Sequence, residues 1–65
     1  MEKIVSKQEF YAAIGPQDAV DEIHGLTVKF YLRKGGRKVR LLGRIDREDS
    51  PMPANLRNDT YVLYV

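Results

Sequence analysis

The chain has 65 residues, 43% of them hydrophobic and 31% charged, with eleven Lys or Arg, nine Asp or Glu, one His and no Cys. Such a length allows one domain with a small core and marginal stability, and the missing cysteines exclude disulfides and thiolate-held metals as reinforcement. No apolar run reaches the ~20 residues that span a bilayer, and the polar start Met-Glu-Lys-Ile-Val-Ser is unlike a secretory signal, so the expectation is a cytoplasmic domain covering residues 1–65 with no membrane contact.

Met1–Val5 reads as a short strand. Ser6-Lys7-Gln8-Glu9 then has the spacing of a capping box, and Phe10, Ala13 and Ile14 follow at the i, i+3, i+4 positions of an apolar helical stripe. Gly15-Pro16 stops that helix. Pro16 suits the first turn of a second one, Asp18 favours its N-terminus, Ala19, Val20 and Ile23 form an apolar edge, and Gly25 ends it. Residues 6–24 are therefore expected to be helical, as two short helices or one bent segment. His24, the only histidine, is expected to sit against the C-terminal end of the helix dipole.

Residues 26–47 read as a β-hairpin turning at Gly35-Gly36, because both glycines can take positive φ. With that turn, residues i and 71−i face each other. One face then pairs Leu32 with Val39, Phe30 with Leu41, Val28 with Gly43 and Leu26 with Ile45. The other pairs Arg33 with Lys38, Tyr31 with Arg40, Lys29 with Leu42 and Thr27 with Arg44. Greasy residues and cations separate onto opposite faces. Residues 48–59, with Pro51, Pro53 and several turn-formers, read as a long loop of the sort that is functional or mobile. Residues 60–65 form a final strand, and the pattern allows either Tyr61, Leu63 and Val65 or Val62 and Tyr64 to face the core.

The expected fold class is α+β: one or two short N-terminal helices packed on a small three-stranded antiparallel sheet built around the hairpin. Its expected core is Phe10, Ile14, Ile23, Leu26, Val28, Phe30, Leu32, Val39, Leu41 and Ile45, with Gly43 leaving room for Phe10 to approach.

Charge is distributed far from evenly. Residues 1–25 sum to −3, residues 26–47 to +7 and residues 48–65 to −2. The expected binding surface is the hairpin's outer face, Lys29, Tyr31, Arg33, Lys38, Arg40 and Arg44, with Lys34 and Arg37 at the tip. Arg33 directly opposite Lys38 is a repulsive cross-strand pair, which a phosphate would relieve, while Tyr31 could stack on a base or sugar. Nucleic acid, DNA or RNA, is accordingly the leading partner, bound without catalysis. The plainer reading is a solvated strand face kept from edge-to-edge pairing by its charges. A helix-turn-helix reading fails, since a second helix bearing Asp18, Asp21 and Glu22 would be repelled by phosphates.

The acids Glu9, Asp18, Asp21, Glu22, Glu48, Asp49 and Asp59 could form an opposite pole. That arrangement would suit homodimerisation or docking onto a charged protein surface. The alternative function is thus a small protein-binding inhibitor or adaptor, of the type found in phages and mobile elements, acting through the same face or the 48–59 loop. One histidine with no ligand spacing gives no metal site, and no cofactor is expected. No motif set places the chain in a family.

Overall fold

The computed structural model describes all residues, 1–65. Ser6 caps the only helix, α1, Lys7–Ile14. Its hydroxyl oxygen accepts from the Glu9 N–H at 3.1 Å and its hydroxyl donates to the Glu9 carboxylate at 3.4 Å, so the capping box forms with its carboxylate on the serine hydroxyl. Gly15 stays right-handed, φ −54°, and donates to the Tyr11 carbonyl at 2.8 Å. The stop comes from Pro16, which has no N–H to extend the ladder.

The remaining elements are strands: β1 (Glu2–Val5), β2 (Ala19–His24), β3 (Thr27–Lys34), β4 (Arg37–Asp46) and β5 (Thr60–Tyr64). They form one antiparallel sheet in the order β1-β5-β4-β3-β2. The expected three-stranded sheet with one or two helices is therefore corrected to five strands and one short helix. The second helix is β2. Gly25, expected to end it, has φ 61° and opens the two-residue turn Gly25-Leu26 between His24 and Thr27. Sheet pairing wins over the helix-like spacing because β3 would otherwise leave a row of backbone donors and acceptors unpaired, and Val20 and Ile23 are β-branched.

The hairpin turns where expected, with Gly35 at φ 59° and Gly36 at φ 77°, both in the left-handed region that a type I′ turn requires. Arg33 faces Lys38 as the 71−i rule demands. Two bulges follow. Leu32 faces Arg40, skipping Val39, and Phe30 faces Gly43, skipping Leu42. From there Lys29 faces Arg44 and Val28 faces Ile45, so the pairs expected for Val28, Leu26, Thr27 and Tyr31 are all replaced. Because each bulge adds one residue, two of them restore the original alternation, which is why Ile45 still points inward.

The core lies between α1 and the sheet face that carries Val28, Leu42 and Ile45, with Phe10 fully enclosed and Ile14 beside it. Val5, Ala19, Phe30, Leu32, Tyr61 and Leu63 pack around this cluster. Leu42, expected outside, is buried, whereas Val39, Ile23 and Leu26, expected inside, are exposed. Leu41 lies opposite Tyr31 on the far face. On β5, Tyr61 and Leu63 take the helix side, and Val62 is buried on the other.

The long segment before β5 is folded on itself around one ion pair. Arg57 forks onto Asp59 at 3.1 and 3.2 Å and donates to the Met52 carbonyl at 3.1 Å. Asp59 also accepts from the Glu48 N–H at 3.0 Å, and the Glu48 carboxylate accepts from the Asn58 N–H at 2.7 Å. The Arg57 guanidinium holds the Asp59 carboxyl below its ordinary pKa. Since its folded value is depressed, Asp59 contributes stability above the unfolded carboxyl range of about 3.9, and that contribution vanishes as pH falls through the folded value. Asp59→Asn should therefore be less stable than the parent at neutral pH, and the two urea midpoints should converge towards strongly acid pH. Midpoints that stay equally far apart at every pH would assign the loss to something other than the ion pair.

Candidate nucleic-acid interface

Directly paired residues share a sheet face, and faces alternate along each strand. On the side away from α1, β3 presents Thr27, Lys29, Tyr31 and Arg33, flanked by Val20, Glu22 and His24 of β2 and by Lys38, Leu41, Arg44 and Asp46 of β4. Glu2, Ile4, Val62 and Tyr64 continue the same face across β5 and β1.

Three of the four cations of that face, Arg33, Lys38 and Arg44, already have anionic partners. Arg44 forks onto Glu2 at 2.9 and 3.2 Å, bonds Asp46 at 2.9 Å and the Tyr64 hydroxyl, and lies 5.7 Å from the Tyr64 ring centre. Thr27 donates to the other Asp46 oxygen at 3.1 Å. Lys38 bonds Glu22 and sits 4.8 Å above the Tyr31 ring. Arg33 reaches Asp18 at 3.0 Å. The pairing shifts the titrations accordingly: Arg44 holds the Glu2 carboxyl below the usual range, Lys38 and then His24 do the same for Glu22, and Glu22 raises Lys38. The repulsion between Arg33 and Lys38 is thus relieved from within, by Asp18 and Glu22 at the neighbouring edge of the sheet. No bound anion is needed for it.

The expected site consequently divides in two. Lys29, Tyr31, Arg33, Lys38 and Arg44 do share the outer face, and three of these four cations are neutralised there. Lys29 faces Arg44 on one side and Glu22 on the other without forming an ion pair. Arg40 leaves the group, because the bulge at Val39 sets it opposite Leu32, whose side chain packs on the core. Lys34 and Arg37 face each other on that same helix-side face, just inside the turn. None of Lys34, Arg37 and Arg40 pairs with an acid. Every residue from Arg33 to Arg40 is exposed. β2 starts beside Leu32 and the Arg33 N–H still donates to the Asp18 carbonyl at 2.8 Å, so the hairpin stands clear of the sheet from Lys34 on, and the molecule is elongated, 37 × 21 × 20 Å.

The acidic pole expected from the sequence is largely dispersed. Asp18, Glu22 and Asp59 are spent on cations, and Glu48 on a backbone N–H. His24 touches the Glu22 carboxylate at the end of β2 and meets no helix terminus. No three His, Asp or Glu side chains come together at metal-binding geometry, and the surface has no enclosed cavity. No helix is long and apolar enough to cross a membrane.

Comparison with known proteins gives no matching family model, no similar curated protein and no matching solved structure. The functional reading rests on the geometry alone.

The partners Glu2, Asp18, Glu22 and Asp46 were absent from the expected site. Asp46 had a local signal, two positions from Arg44. Glu2 lies 42 residues from Arg44, and Asp18 and Glu22 lie 15 and 16 from their cations. Only the strand order brings those three into reach.

Proposed function

We propose that this domain binds nucleic acid, without catalysing a reaction on it, through the exposed end of the β3–β4 hairpin. The observation that carries the reading is the trio Lys34, Arg37 and Arg40: exposed, close together by register, and free of acidic partners in a molecule whose other hairpin cations are mostly neutralised. Guanidinium and ammonium donors held this way can contact successive phosphates, and displacing condensed counterions then drives association. Arg33 and Lys38 add reserve charge at the root of the tip. Arg44 contributes to holding β1 on the sheet.

Salt titration tests it. The triple variant Lys34→Ala, Arg37→Ala, Arg40→Ala removes only exposed side chains and should keep the parent's melt. Its binding to mixed-sequence polynucleotide should weaken strongly, and the slope of log affinity against log salt should flatten by about three, close to one for each lost phosphate contact. Freeing the reserve cations with Asp18→Asn and Glu22→Gln should tighten binding. Equal affinity and equal slope for parent and triple variant would overturn the reading. No binding to any polynucleotide at low salt would shift the function to a protein partner reached by the same tip.

A further inference from the structure

We infer that the nucleic acid matched by this tip is B-form duplex DNA, entered through its major groove. The inference rests on the reading above and narrows it to one ligand class.

Single strands are generally held by bases stacked on exposed aromatic rings along a cationic groove. The tip, residues 33–40, contains no aromatic residue. Tyr31, the nearest, lies on the opposite face from Lys34, Arg37 and Arg40, with the Lys38 ammonium over its ring. Tyr64 is covered by Arg44. Phe10 is enclosed and Phe30 packs edge-on against it with centroids 5.3 Å apart. The half-exposed Tyr11 belongs to α1, which packs on β4 and β5. The free cations therefore have no stacking platform beside them, and what they offer is contact with phosphates and base edges.

Shape points the same way. Beyond Leu32 and Arg40 only the Arg33 N–H, donating to the Asp18 carbonyl at 2.8 Å, still ties the hairpin to β2, and from Lys34 on it is a bare two-stranded ribbon. Arg33 and Lys34 on one arm, Arg37, Lys38 and the bulged Val39 on the other, and the Gly-Gly turn project roughly 10 Å past Leu32 at strand rise, close to the major-groove depth of about 8.5 Å, and a groove about 12 Å wide admits such a ribbon. The deep, narrow major groove of A-form RNA does not. Cations project from both faces of the ribbon, Lys34, Arg37 and Arg40 from one and Arg33 and Lys38 from the other, so both phosphate walls are within their reach. Asp18 and Glu22 stand at the root, where phosphates would be repelled. They set how far the tip can enter.

The experiment uses the full chain and one mixed sequence prepared as duplex DNA, single-stranded DNA and duplex RNA, each titrated by fluorescence anisotropy with the parent and the triple variant. Duplex DNA should bind roughly tenfold tighter than either other probe, and the preference should disappear in the variant. Bound protein should also protect guanine N7, a major-groove atom, from methylation. Tip-dependent binding that is as tight or tighter on single strands or duplex RNA would overturn the duplex inference and leave the nucleic-acid reading standing. So would duplex binding without N7 protection. Binding of all three probes equally by parent and variant, or by neither, would overturn both.

Discussion

Gly43→Ala should destabilise the domain strongly, with a large drop in its urea midpoint. A Cβ built on Gly43 would lie 2.6 Å from the Val62 carbonyl oxygen, 2.9 Å from Phe10 Cε2 and 3.4 Å from Leu63 Cδ2. The first of these atoms is main chain of β5, and moving it would strain the pairing of Gly43 with Leu63 and Arg44 with Val62. The second belongs to a ring with no exposed surface, so it has nowhere to swing. Overpacking of a filled core costs about 1–3 kcal/mol and more where backbone must shift, whereas a domain of this length has a total stability of roughly 3–10 kcal/mol. Circular dichroism and a urea melt would read the result directly. A variant with the parent's midpoint would show that helix and sheet do not approach closely at residue 43.

That glycine illustrates how much of the fold the sequence discloses. Gly43 beside Phe10 follows from a large aromatic on an amphipathic helix and a residue without a side chain in a strand, so the close approach was readable although its cross-strand partner was not. The Gly35-Gly36 turn was readable because few dipeptides accept two positive φ angles in succession. The capping box and the Phe10 and Ile14 stripe were local as well. β2 was not, because Ala19, Val20 and Ile23 fit a helical edge, and an edge strand with Ile23 exposed on one face and Glu22 on the other shows no clean alternation. Bulges leave no signature of their own: Val39-Arg40 and Leu41-Leu42 look like continuous strand, and only packing decides which residue is left unpaired.

The charge pattern was readable as an amount and unreadable as an arrangement. Eight cations between Lys29 and Arg47 are a fact of composition, but which of them remain free depends on which acids the sheet order delivers. Placing β2 beside β3 brings Asp18 and Glu22 to Arg33 and Lys38, and placing β1 beyond β5 brings Glu2 to Arg44. A bulge then carries Arg40 over to the face of Lys34 and Arg37. The same irregularity that spoiled the expected register therefore brings three of the unpaired cations together, while Lys29 stays unpaired on the outer face, and the candidate site shifts from the outer face to the tip.

Phe10→Ala is the second substitution with a large expected loss of stability, and paired with Gly43→Ala it tests the contact between them. The Phe10 ring is fully enclosed, with Phe30, Tyr11 and Tyr61 centroids 5.3, 5.5 and 5.6 Å away. Truncating such a ring costs about 3–5 kcal/mol, a large share of the roughly 3–10 kcal/mol available. The loss also unfastens α1, whose eight residues are too few to stay helical alone. Phe30→Ala should cost less, because Phe30 is only partly buried at the margin of the cluster. In a stabilising sulfate or osmolyte titration, where weakened variants can be brought back to the folded state, Phe10→Ala with Gly43→Ala should be less damaging than the sum of the two by about 0.5–3 kcal/mol. The cavity left by Phe10 absorbs one of the clashes of the new methyl group, and the Val62 carbonyl keeps the other. Strict additivity would mean that the ring is not what requires a glycine there, and that the β5 main chain alone does.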